Sequence, residues 1–207
     1  MSPHISGSVH ESRLNADGLG MRLEDFVSHP SAKVARLSTP EVLALRVYTT
    51  AAFRSINTPL REQAAERSPH PLPVTVNYIR EAIGKLRAVE AHAGDQGVLD
   101  LWRGMKNLTV GASDFLSSGG TELAPMSTTD DLGVATRYAL STCSLLLKLR
   151  TKSFMQRGAD LTFLSAFPAE REYLFPPLTF LQPTGKVVEV VSGGSMFTIV
   201  EVEPFAG

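Results

Sequence analysis

The sequence predicts an α+β fold, and three observations carry that prediction. Helical spacing of apolar residues dominates the first half of the chain, and from Val98 the apolar period changes to two. Helices come first, then at least six strands with one short helix among them, which is not the strand–helix alternation of a parallel sheet. The glycine-rich spots are isolated, and none gives the fingerprint of a βαβ nucleotide fold or of a phosphate loop.

Composition narrows the class further. The chain has 207 residues, enough for one domain with a sizeable core, with or without a helical appendage. Hydrophobic residues make up 43% and charged residues 20%, the balance of a soluble globular protein. A net charge of -1 supplies no basic field for nucleic acid or an anionic membrane, so neither partner is expected. Any bound anion must then be held by a few placed arginines. Cys143 is the sole cysteine, which excludes an internal disulfide and a cysteine-based zinc site. Inside Thr142-Cys143-Ser144-Leu145-Leu146-Leu147 it reads as a buried structural thiol. His70 and His92 read as loop or surface residues, since no second His or Cys sits at metal spacing, and no metal is expected. No apolar run approaches a membrane span, and the N-terminus has no apolar leader. The expectation is a soluble protein, cytoplasmic or exported as an effector without a classical signal peptide.

Residues 1–38 are rich in Ser, Gly and His and lack sustained periodicity, so they read as a loosely ordered arm. Within it, Leu14 to Phe26 can form a short amphipathic turn that docks on the body. Residues 39–207 then form the main domain. Thr39-Pro40-Glu41 opens a helix, with Thr39 as cap, Pro40 at the first helical position and Glu41 at the positive end. Leu45, Tyr48, Ala52 and Ile56 continue it at helical spacing, and Asn57 and Arg61 fall at its far end. From pattern alone Arg61 is an ordinary C-terminal cation. A proline-rich connector, Arg67 to Pro73, leads to a second helix with Val76, Ile79, Ile83 and Leu86 on one face, ending before His92-Ala93-Gly94.

The strands follow. Leu99, Leu101 and Arg103 share one face; Val98, Asp100 and Trp102 share the other. An arginine on an inward-looking face needs an anionic partner, either a protein carboxylate, which is the usual case, or a ligand phosphate. Gly104 beside it permits close backbone approach. Ser117-Ser118-Gly119-Gly120 is a turn, and Leu123 to Thr129 a short strand ending in hydroxyls. Thr129 is expected to cap the short helix carrying Leu132, Ala135, Tyr138 and Ala139, which leaves Ser127 free for other work. Leu145 to Leu149 is a buried strand, and Val187–Val191 with Met196–Val202 flank the hairpin loop Ser192-Gly193-Gly194-Ser195.

The most informative stretch is Phe167-Pro168-Ala169-Glu170-Arg171-Glu172-Tyr173-Leu174-Phe175-Pro176-Pro177. On an extended chain Glu170 and Glu172 point one way, and Arg171 and Tyr173 the other. Two carboxylates held together resist joint ionisation, so at least one pKa rises. Such a pair suits a site that stabilises a cation and moves a proton. A Glu-X-Glu on a strand is most often a solvated face, so its meaning depends on its company.

That company is Leu101-Trp102-Arg103-Gly104 and then Ser127-Thr128-Thr129, in fixed order before Glu170-Arg171-Glu172. The set resembles the Arg-Ser-Glu class of mono-ADP-ribosyltransferases, in its arginine-specific branch, which includes vertebrate ecto-enzymes and bacterial toxins. Phe167 to Pro177 looks like that family's turn and catalytic strand almost throughout. The helix carrying Tyr48-Thr49, Ile56-Asn57 and Leu60-Arg61 looks like its N-terminal helix. The resemblance runs from about Thr39 to the C-terminus. It implies a split pair of mainly antiparallel sheets around an NAD cleft, with an N-terminal helical layer. It also implies transfer of ADP-ribose from NAD to an arginine of a target protein, without a metal. By the same resemblance Glu172 is the catalytic Glu, Glu170 engages the target arginine, and Ser127 supports the cleft and positions the catalytic Glu. Arg103, Gly104, Ser127, Thr128, Asn57 and Arg61 are the implied NAD-binding residues. Phe167 is the implied aromatic for recognising the target protein. Two positions depart from the family: Pro125 and Met126 stand where an aromatic is common, and Thr129 replaces the last Ser of the Ser-Thr-Ser unit. The same cleft also fits NAD hydrolysis with water as acceptor, and a non-catalytic NAD-binding or interaction domain is the rival of a different class.

Overall fold

The computed structural model describes residues 20–62, 69–92, 97–106, 113–141, 144–153, 156–192 and 194–206. The expected thiol environment at Cys143 lies outside these residues, as do Arg67 and Ser68 at the start of the expected connector. Within the segment expected as a loose arm, Gly20 to Ser38 carries two short helices, α1 (Leu23–Val27) and α2 (Pro30–Val34). Phe26, Ala32, Ala35 and Leu37 are buried against the body. Periodicity over five-residue helices is too short to show in sequence; packing decides them.

α3 (Thr39–Tyr48) starts from a capping box. Its cap is Ser38, not the expected Thr39: the Glu41 amide donates to Ser38 Oγ at 3.4 Å, and the Ser38 amide donates to Glu41 Oε2 at 2.6 Å. The single helix expected to run on to Arg61 is broken in two. The hydroxyls of Thr49 and Thr50 donate back to the Arg46 and Val47 carbonyls at 2.9 and 2.7 Å, closing α3 before α4 (Phe53–Glu62) begins. α5 (Pro73–His92) packs on α3 and buries Ile79, Ala82, Ile83 and Leu86.

The strands are β1 (Leu99–Lys106), β2 (Gly120–Glu122), β3 (Met126–Thr129), β4 (Ser144–Thr151), β5 (Ala159–Asp160), β6 (Glu172–Phe175), β7 (Thr179–Ser192) and β8 (Ser195–Phe205). Helix α6 (Ser113–Ser118) precedes β2, and α7 (Leu132–Ala139) follows β3. The order across the sheet is β2-β7-β8-β4-β1-β3-β6-β5, antiparallel except for β4 beside β8. β7 and β8 form the expected hairpin, paired to Ser192↔Ser195. The α+β class predicted from sequence is therefore the observed one.

Two features of this sheet position the residues of interest. β1 and β3 share one register pair, Trp102↔Thr129, and diverge beyond it, so the sheet is two halves joined at a narrow seam. β2 and β3 stand five places apart in the sheet, yet only Leu123, Ala124 and Pro125 separate them in sequence. Four residue steps span at most about 14 Å, so the sheet curls and brings β2 over the seam. One core cluster fills that curl with Leu101, Met126, Leu147, Leu149, Phe175 and Val202; the helical layer packs with Leu161, Leu164 and Leu174 in a second. Alternation along β4 sends Leu145, Leu147 and Leu149 to the curled interior and Leu146 to α7 on the outer face. No helix among the described residues is long and apolar enough to cross a membrane.

Candidate active site

Glu172, the first residue of β6, lies at the seam opposite Ser127 of β3. The register pairs Thr129 with Glu172 and Ser127 with Leu174, placing Ser127 and Glu172 diagonally across the two strands. Ser127 Oγ donates to Glu172 Oε1 at 2.7 Å, and Ser165 Oγ donates to Oε2 at 3.0 Å. Both carboxylate oxygens are thus fixed. Burial pushes the Glu172 carboxyl above its ordinary value; the two hydroxyls oppose that rise, and the nearby Glu170 charge adds to it.

Glu170 reaches the same place by a different route from the expected one. Pro168–Glu170 is a 3-10 turn, and Arg171 adopts a left-handed conformation (φ 45°, ψ 65°) before β6 starts. The two acids therefore do not share a strand face by alternation. They are brought together by the turn. The turn is pinned by Thr129, whose hydroxyl donates to the Glu170 carbonyl at 2.6 Å and accepts from the Asp131 amide at 3.1 Å. Thr129 is therefore not the helix cap; Asp131 caps α7 through the amides of Gly133 and Val134. Arg171 turns outward and pairs with Asp130 at 2.7 Å. The Glu170 carboxylate accepts from the Tyr138 hydroxyl, 3.0 Å from Oε2 and 3.2 Å from Oε1. Burial raises its pKa, while the Tyr138 hydrogen bond and the Arg137 charge oppose the rise.

Arg103 projects from β1 into the widening gap. Its Nη1 donates to the Ser127 carbonyl at 3.0 Å, and its Nη2 lies 3.8 Å from Glu122 Oε2. Arg61, from the end of α4, makes a two-pronged pair with Glu122, Nε to Oε1 at 3.0 Å and Nη2 to Oε2 at 2.9 Å. The anionic partner expected for Arg103 is thus a protein carboxylate in this structure, and one carboxylate sits against both guanidiniums. Burial disfavours the Arg103 charge, and Glu122 offsets that.

The other predicted residues divide. Asn57 is buried in α4, where its Nδ2 donates to the Tyr48 hydroxyl at 3.1 Å and the Pro125 carbonyl at 3.2 Å; Tyr48 donates to the same carbonyl at 2.8 Å. Both hold the strand entering Ser127 from behind. Thr128 faces away from Ser127 and donates to the Tyr173 carbonyl at 3.0 Å. Gly104 packs under α7: a Cβ there would lie 2.1 Å from the Ala135 carbonyl oxygen and 2.7 Å from the Ala139 nitrogen. Phe167, half-buried, enters the turn that carries Glu170, and its amide donates to Ser165 Oγ at 3.1 Å. Sequence reading missed Ser165, Glu122 and Tyr138 as site residues. None lies in a motif, since each reaches the site through a loop, a curled edge strand or a helix whose placement pattern does not encode.

No protein-family model matches the sequence, and no curated protein matches it. Solved structures do. Plx2a, an ADP-ribosyltransferase toxin from Paenibacillus larvae, superposes with a TM-score of 0.65 at 19% identity, over 89% of this chain and 95% of that one. The ADP-ribosyltransferase HopU1 of Pseudomonas syringae pv. Tomato DC3000 gives 0.60 at 18% identity, over 92% and 91%. A point mutant of the eukaryotic mono-ADP-ribosyltransferase ART2.2, solved with NADH, gives 0.57 at 16% identity, over 83% and 68%. With the curled, mostly antiparallel sheet and its helical layer, these likenesses establish the ADP-ribosyltransferase fold for this chain.

Proposed function

We propose that this chain is a mono-ADP-ribosyltransferase that moves ADP-ribose from NAD to an arginine side chain of a target protein and releases nicotinamide. The observation that carries the proposal is the pair of acids. Glu172 is immobilised between two hydroxyls beneath the seam, and Glu170 stands beside it on a turn at the rim. A fold hosts many functions, so the site, not the sheet, bears the weight.

The seat around Glu122 supports a dinucleotide as the ligand. Glu122 already occupies a seat between Arg61 and Arg103. Two guanidiniums that accept a carboxylate also accept a diphosphate, whose charge is greater and whose oxygens match the same forks. Bound NAD would supply the glycosidic bond to be broken, with its electron pair leaving on the nicotinamide nitrogen. Glu172 would stabilise the positive charge that grows on the ribose carbon, more strongly in the transition state than before it. Its fixed oxygens need no reorganisation to do so. Glu170 would pair with the incoming guanidinium, hold it for attack and take the proton lost as the new carbon–nitrogen bond forms. Removing that proton matters because a free guanidinium keeps its proton far above neutral pH. Phe167, at the head of the same turn, would meet the target protein.

The test is incubation with NAD labelled in its adenylate part and an arginine-containing protein, followed by mass mapping of the modified side chain. Label on arginine supports the proposal. Nicotinamide release without label on protein would convert the reading to NAD hydrolysis, and neither product would leave a non-catalytic binding domain.

A further inference from the structure

The acceptor side of the site contains a residue that no motif marks. Tyr138 lies on the last turn of α7, and the tyrosine is 48% exposed at the rim. Its hydroxyl is within 3.2 Å of both oxygens of Glu170 and contacts no other carboxylate that closely among the described residues. The hydroxyl proton can serve one oxygen at a time, and the hydroxyl's lone pairs remain open. Glu170 hangs from a three-residue turn followed by a left-handed residue, so its backbone alone does little to fix the carboxylate direction. α7, in contrast, is anchored. Ala135 and Ala139 are buried on the outer face of β1 and β4, and Gly104 gives α7 its close approach.

We propose that Tyr138 is the positioning residue for the acceptor: its hydroxyl holds the Glu170 carboxylate in the orientation that receives a guanidinium, and so sets the balance between transfer to arginine and loss to water. The inference rests on the reading of the site as an NAD:arginine transferase and deepens it. The Tyr138 bond also stabilises the ionised form of Glu170. Charged groups facing Glu170 are Arg137 on α7, which acts in the same direction, and Glu172 on β6, whose own carboxyl the Glu170 charge pushes up. The Arg171–Asp130 pair lies on the outer side of the turn. Without the hydroxyl, Glu170 would protonate at higher pH and swing free of its productive direction.

The experiment uses the Tyr138→Phe variant of the full chain, with NAD and with agmatine as a small acceptor bearing one guanidinium. Three quantities are read: KM for agmatine, the ratio of agmatine transfer to NAD hydrolysis, and the pH profile of transfer. A hydrogen bond to a charged group is worth about 1.5–3 kcal/mol, so KM for agmatine should rise about tenfold or more. Hydrolysis without acceptor should stay within about twofold, because Glu172 and its two hydroxyls are untouched. The acid limb of transfer should move to higher pH, while that of hydrolysis should not rise with it, since a less charged Glu170 pushes Glu172 up less. A merely structural role would lower thermal stability and reduce both activities together, which overturns the inference. So does a variant that transfers with unchanged KM, ratio and pH profile. A wild type that releases no nicotinamide overturns the transferase reading itself, and this inference with it.

Discussion

At Glu172, position and burial pull against stability. Its folded pKa lies above the ordinary 4.5 because burial outweighs the Ser127 and Ser165 hydrogen bonds. A carboxyl whose folded pKa is raised stabilises the fold while protonated, and that contribution is lost as pH rises through the folded pKa. Glu172→Gln should therefore raise the melting temperature at pH 7, and the gain should vanish below pH 4.5. A melting scan across that range checks it; a variant less stable at pH 7 would contradict the sign. Activity runs the other way, since the ionised form is the working one. Ser165→Ala removes one of the two donors. It should push the acid limb of nicotinamide release up by about one pH unit, the equivalent of about 1.4 kcal/mol. The pH–rate profile reads this directly, and an unmoved limb would show that Ser165 does not tune the acid.

Among the elements, α7 and β2 are those whose placement matters most. Gly104→Ala forces a Cβ against backbone atoms of Ala135 and Ala139, which cannot rotate away. Overpacking of this kind costs about 1–3 kcal/mol, and α7 must lift, carrying Tyr138 off Glu170. Chemical denaturation should show the loss of stability, together with a larger drop in arginine transfer than in hydrolysis. β2 contributes Glu122 to the arginine seat. If Arg61 and Arg103 hold the NAD diphosphate, Glu122 competes for them, and Glu122→Gln should tighten NAD binding by calorimetry. Weaker binding would show instead that Glu122 holds the two arginines in place for the ligand. Legibility varies at this scale for physical reasons. The helical layer and the long hairpin were visible because periodicity is a property of contiguous residues. The split between α3 and α4 was not, because two threonine hydroxyls competing for carbonyls leave no trace in apolar spacing. Nor was the route by which Glu170 meets Glu172. Alternation predicted the neighbourhood, but the chain achieves it through a 3-10 turn and a left-handed arginine.

For the molecule as a whole, the curl of the sheet brings residues distant in sequence to one site. Arg103, Ser127 and Glu172 sit on β1, β3 and β6, adjacent strands in the sheet, so their convergence follows from strand order once register is fixed. Their order in the sequence was legible; the contribution of β2 was not, because it depends on the sheet bending back. The N-terminal helices belong to the same body. Phe26 and Leu37 are buried with the helical layer, Arg46 packs over the Phe26 ring, and its Nη1 donates to the Leu164 carbonyl at 2.8 Å, just before Ser165. Burying a large apolar side chain is worth about 1.5–3 kcal/mol. Removing residues 1–38 should therefore cost several kcal/mol in a denaturation experiment; an equally stable truncated protein would mark residue 39 as a true domain boundary. If, as proposed, Glu172 drives the breaking of the glycosidic bond of NAD from its fixed position beneath the seam, replacing its charge must slow nicotinamide release. This is tested most directly by the rate of nicotinamide release from NAD by wild type and by Glu172→Gln, at a pH where both are folded. The wild type should release nicotinamide, and the variant should lose about a hundredfold or more of that rate. Equal rates in the two, or none from the wild type, would contradict it.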